Sequence, residues 1–122
     1  MKPLPVEEQI RALLQGRGFD MARSLFGLTV LSGNEYAKVF TVKREEVLAY
    51  VQEFGFPPGC YYDRPRQGDG PYMLEDEGEY VIYCQERGQR LDETRHKSKA
   101  KAQAIMVDLL LGLSGTGLYG RD

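Results

Sequence analysis

Apolar positions along this chain repeat every three to four residues in some stretches and every second residue in others. The boundaries between the two regimes predict its elements. Val6, Ile10, Leu13 and Leu14 recur at helical spacing, Pro5 stands where a first helical turn begins, and Glu7 and Glu8 suit that turn. Gly16 and Gly18 end this helix, and Asp20 caps a short second turn over Met21–Phe26 that Gly27 stops. Leu28–Leu31 is apolar and Tyr36–Val42 alternates, so a hairpin Leu28–Val42 is expected around Gly33-Asn34. In Lys43–Phe54 the helical period returns, with Val47, Tyr50, Val51 and Phe54 on one face. Gly55 and Pro57-Pro58 forbid its continuation.

The second half carries the clearer pattern. Gly59–Gly70 has no period and reads as a loop, and Pro71–Leu74 as a short strand. Glu75-Asp76-Glu77-Gly78 forms an acidic turn. In Tyr80–Glu86, Tyr80, Ile82 and Cys84 alternate with Val81, Tyr83 and Gln85. Apolar groups on both sides predict a strand covered on part of each face. Gly88 supplies the next turn, and the polar return Arg90–Arg95 suits an edge strand. His96–Leu113 is the longest helix, with Ser98 as its N-cap and apolar residues over most of its girth. The expected architecture is therefore α+β. An antiparallel sheet of four to five strands packs with about three helices in one domain over residues 1–113, and residues 114–122 form a loose glycine-rich tail.

Composition adds little direction. A chain of 122 residues is one domain's worth, and 42% hydrophobic with 28% charged residues is ordinary globular usage. A formal net charge of -2 excludes a strong overall pull toward nucleic acid or acidic membranes. There is no secretory h-region, and the longest apolar run, Ile105–Leu111, is interrupted by Asp108. No membrane association is expected, and the cytoplasm is the default compartment. A bridge between Cys60 and Cys84 is left open, because a domain this size does not need one.

Candidate chemistry is sparse. His96 is the single histidine, and no Cys/His set has metal-ligand spacing, so no catalytic residue, metal or cofactor is expected. The acidic group Glu75, Asp76, Glu77, Glu79 and Glu86 reads first as a solvated turn and second as an acidic surface for a basic partner. Eight tyrosines and no tryptophan supply rigid contact area with polar tips, and Tyr61, Tyr62, Tyr72, Tyr80 and Tyr83 gather in the loop and sheet. An α-β-β-β-α order ending in a helix that opens Lys97-Ser98-Lys99-Ala100-Lys101-Ala102 is similar to a double-stranded-RNA-binding domain, which touches phosphates from that helix start. Glu79, Glu86, Asp92 and Glu93 on the preceding strands would repel phosphate, so nucleic acid is the less favoured partner.

The run Tyr72–Gly88, with its apolar strand, acidic turn, aromatic strand Tyr80–Tyr83 and terminal Glu86-Arg87-Gly88, resembles small bacterial immunity proteins. These neutralise the toxin domains of polymorphic toxin systems. The likeness covers about the C-terminal half, and Lys97, Lys99 and Lys101 stand where acidic residues are expected in such proteins. It implies a protein without a reaction of its own that occludes a cognate toxin domain, an NAD-degrading enzyme or a nuclease. The partner surface then falls to Tyr61, Tyr62, Glu75, Asp76, Tyr80, Tyr83, Glu86 and Arg87, with self-association as a homodimer left open.

Overall fold

A computed structural model describes residues 4–27 and 33–119. Helix α1, Val6–Leu14, buries Ile10, Leu13 and Leu14. It ends where left-handed Gly16 lets the Arg17 amide return to the Ala12 carbonyl at 2.8 Å. Gly18, expected to be a stop, instead opens α2, Gly18–Phe26. A side chain at Gly18 would press on Thr116 Cγ2 at 3.2 Å and on the Ser114 carbonyl at 3.3 Å, so glycine lets this helix start lie against residues 114–116 without a shift of those neighbours.

The hairpin expected over 28–42 is corrected for the part that is described: residues 28–32 lie outside it, and Gly33–Val39 is helix α3. Tyr36, Val39 and Phe40 sit at helical spacing and are all buried in the main core. The apparent alternation came from β-favouring residue types, which burial overrides. Helix α4, Arg44–Phe54, follows after an extended link and lays Val47 and Val51 into the same core. Gln9 of α1 fixes that link. Its Oε1 accepts from the Thr41 and Val42 amides at 2.8 and 3.2 Å, and its Nε2 donates to the Leu4 carbonyl at 2.7 Å, with Gln9 itself 1% exposed.

Strands β1 (Gly70–Asp76), β2 (Glu79–Glu86) and β3 (Gln89–His96) form an antiparallel meander in the order β1-β2-β3. Both turns are two-residue loops with positive φ at each position, Glu77-Gly78 and Arg87-Gly88, the twist that matches a tight hairpin. A bulge marked by Asp92 (φ 54°) shifts the β2–β3 register between Ile82 and Cys84. The described sheet thus has three strands rather than four or five, and the described helices number five rather than about three. A single parallel bridge from Tyr62 to Tyr72 covers part of the β1 edge.

Helix α5, Lys99–Leu113, is the hub, touching α1, α4 and all three strands. The Ser98 side chain accepts from the Lys101 amide at 3.2 Å and caps it. Arg44 and Asp108 form a two-pronged ion pair that ties α4 to α5. The sheet is covered on both sides, as the two-faced pattern of β2 requires. Met73, Tyr80 and Ile82 join the helical core, while Tyr72, Leu74, Val81 and Tyr83 build a second cluster on the other face. Beyond α5 the chain is packed rather than loose as far as Tyr119. Ser114 and Thr116 are buried, and the Tyr119 hydroxyl donates to the Val42 carbonyl at 2.6 Å. Among the described residues no helix is long and apolar enough to cross a membrane.

Candidate functional site

Gly55 (φ 80°, ψ -179°) breaks α4 and aims the following chain under the sheet. Phe56 then meets Tyr61 edge-on, with ring centroids 5.3 Å apart and planes at 89°. These two rings wall a hollow of about 550 Å³ between the end of α4, strands β1 and β2, and the first turn of α5. Met73, Glu75 and Tyr80 line it from the sheet, Asp63 from the loop and Lys99 from α5. Three of the residues singled out from the sequence, Tyr61, Glu75 and Tyr80, are therefore brought to one place. Burial pushes the Tyr61 phenol above its ordinary pKa, and the negative charges of Asp63 and Glu75 push the same way.

The acidic β1–β2 turn adjoins the hollow, with Glu75 and Tyr80 common to both. Asp76 and Glu79 are braced by Arg95, which donates to Asp76 Oδ2 at 2.7 Å and Glu79 Oε1 at 3.4 Å. The Asp76 hydrogen bond, working against partial desolvation, raises the Arg95 pKa further. No ion pair among the described residues reaches Glu75 or Glu77, which stand exposed. Four carboxylates with Arg95 as their one ion-pair partner among the described residues leave the β1–β2 turn itself acidic.

The remaining candidates lie elsewhere. On the sheet face away from the helices a ladder runs from Arg66 to Arg90. Arg66 sits 5.7 Å over the Tyr62 ring, Tyr62 and Tyr72 are 4.8 Å apart, Tyr72 stacks on Tyr83 at 4.8 Å and 8°, and Arg90 closes the row 4.3 Å over Tyr83. Tyr83 is 1% exposed. It is thus corrected from a partner anchor to an internal stacking group, because cross-strand pairing with Tyr72 and the Arg90 guanidinium leave it no accessible face. Tyr62 is half-buried in the same row. Glu86 and Arg87 sit at the β2–β3 turn, the other end of an eight-residue strand and so about 25 Å from the acidic turn. There the Arg87 amide donates to Asp69 Oδ1 at 3.0 Å. The eight residues are therefore split among the hollow with its acidic turn, the outer face, and the far end of the sheet.

His96 Nε2 is 2.8 Å from Thr94 Oγ1, a local contact at the end of β3. Cys60 and Cys84 are not joined, and burial pushes the Cys60 thiol up to about 11. Lys97, Lys99 and Lys101 are exposed at the start of α5. Among the described residues no group of three or more His, Cys, Asp or Glu side chains could hold a metal ion. Phe56, Asp63 and Met73 belong to the hollow but were not foreseen, and Lys99 was read only as a possible phosphate contact, since the tertiary fold alone brings the α4–β1 loop, the sheet and α5 together. No protein-family model, curated protein or solved structure matches this chain.

Proposed function

We propose that this chain acts by covering a basic surface of another protein, as an inhibitor of the immunity type whose partner is a toxin domain. The observation that carries the reading is the continuity between the acidic β1–β2 turn and the aromatic-walled hollow behind it, joined through Glu75 and Tyr80. Aromatic groups in a recess with a charged rim are the anatomy of a protein-binding surface: the recess gives affinity and the rim gives orientation and encounter rate. The two-residue turn and the Arg95 brace hold the acidic end in shape before any partner arrives, which lowers the ordering cost of association. Of the two toxin chemistries, a nuclease is the better fit, because a phosphate-binding groove is basic and an acidic face complements it.

The reading expects a toxin domain encoded beside this chain, and co-expression with that domain tests it. A stoichiometric complex and stoichiometric loss of toxin activity are expected, whereas no complex at micromolar concentrations overturns it. A second reading follows from a separate observation. The run α4-β1-β2-β3-α5 has the element order of a double-stranded-RNA-binding domain, with exposed lysines at the start of its last helix. Against it stand the acidic turn and the exposed Glu45, Glu46 and Glu53 of α4. Titration with a duplex RNA at two salt concentrations separates the two, since the RNA reading requires affinity that falls steeply with salt.

A further inference from the structure

We infer that the hollow between α4, the sheet and α5 receives a guanidinium, the side chain of an arginine presented by the partner. The inference rests on the reading of the acidic end as a protein-binding surface and names what enters it. A space of about 550 Å³ is ample for one such side chain. Its walls include the rings of Phe56, Tyr61 and Tyr80, and an aromatic face attracts a planar, weakly hydrated cation. Its carboxylates are Glu75, which has no ion pair among the described residues, and Asp63, whose neighbour Arg64 is 3.5 Å away on the exposed loop. Both carboxylates line the recess beside Tyr61, and their charges add to burial in raising its phenol pKa.

The alternatives fit less well. An apolar side chain would strip water from Glu75 without replacing its hydrogen bonds. An anion would meet two carboxylates against the single cation Lys99. Lysine is a compact, strongly hydrated point charge that gains less from aromatic walls and cannot fork onto a carboxylate. Lys99, on the α5 side, sets the direction of approach by repelling a cation that enters over the helix.

The test is an NMR titration of the whole chain with N-acetyl-arginine methylamide, using its citrulline counterpart as a neutral probe of the same shape. Saturable shifts are expected at Phe56, Tyr61, Met73 and Tyr80, with a dissociation constant on the order of 1 mM for so small a ligand. Glu75→Gln, on an exposed position of β1, weakens binding about tenfold through loss of a charge-assisted hydrogen bond. Glu86→Gln at the far end of the sheet leaves it unchanged. No saturable shift, equal shifts with citrulline, or an unaffected Glu75→Gln protein each overturns the inference. If the arginine probe binds but the toxin domain does not, the inhibitor reading fails alone. If the toxin domain binds the wild-type and Glu75→Gln proteins equally and the probe is silent, only the guanidinium inference fails.

Discussion

Replacing Tyr72 separates the two ways in which the loop at residues 59–69 is strapped to the sheet, and the expected sizes follow from the geometry. The hydroxyl, fully buried, donates to the Gly68 carbonyl at 2.6 Å, with the Arg66 carbonyl at 3.2 Å. Gln85 Nε2 also donates to both carbonyls, to Arg66 at 2.8 Å and to Gly68 at 3.2 Å, so Tyr72→Phe leaves neither acceptor orphaned. Its cost is one net hydrogen bond, about 1 kcal/mol. Tyr72→Leu removes in addition two ring contacts at 4.8 Å, each worth ~1 kcal/mol. The space left beside Tyr83 adds ~1 kcal/mol, for a total of about 4 kcal/mol. With a urea slope of about 2 kcal/mol/M, the midpoint falls by roughly 0.5 M for Phe and 2 M for Leu. Urea unfolding followed by circular dichroism measures the difference, and hydrogen exchange at the Tyr62 and Met73 amides, which close the bridge between loop and strand, localises it. Equal midpoints for the two variants, or a Leu variant within about 0.5 M of wild type, would refute the claim that ring stacking rather than the hydroxyl holds the outer face.

Gln9→Leu deprives the Thr41 and Val42 amides and the Leu4 carbonyl of their partner and should cost about 3 kcal/mol by chemical denaturation. Glu77 holds a left-handed φ of 51° in a turn that favours Asn-Gly, so Glu77→Asn should stabilise the protein by about 0.5 kcal/mol while lowering the acidity of the turn. Burial pushes the Cys60 thiol from its ordinary 9.0 to about 11 and the Tyr119 phenol from 10.0 to about 12. Both folded pKa values are raised, so the folded state keeps protons that the unfolded chain has lost. Stability is then intact below pH 9 and declines as pH rises, first through the Cys60 interval and then through that of Tyr119. A urea midpoint constant from pH 8 to 11.5 would contradict this.

The β2–β3–α5 stretch was legible because three local signals agree there: a β-favouring run apolar on both faces from Tyr80, glycine at Gly78 and Gly88, and Ser98 before a long apolar period. Helix α3 was not. Tyr36, Val39, Phe40, Thr41 and Val42 are β-favouring types, and what makes 33–39 helical is burial of Tyr36, Val39 and Phe40 in a core built by other elements. The packed end of the chain was equally hidden. Glycines at 115 and 117 suggest looseness, while the contact of Gly18 with 114–116 and the Tyr119 to Val42 bond span most of the sequence. In the site, Glu75 and Tyr80 were recognisable as neighbours of a turn. The separation of Glu86 and Arg87 to the far end of the sheet follows from strand length and could have been worked out from the hairpins alone. Tyr83 could not, since its burial depends on Arg90 crossing from β3 and on Tyr72 stacking from β1.

The claim on which the account turns is that the acidic turn and its hollow engage a basic protein surface without making or breaking bonds. Calorimetric titration of the toxin domain proposed as partner into wild-type, Glu75→Lys and Glu86→Lys proteins tests it most directly. The account predicts a one-to-one complex that Glu75→Lys weakens at least about a hundredfold, for a reversed charge beside an aromatic anchor, and that Glu86→Lys leaves within about twofold. No heat of binding at micromolar concentrations, or equal effects of the two reversals, would contradict it.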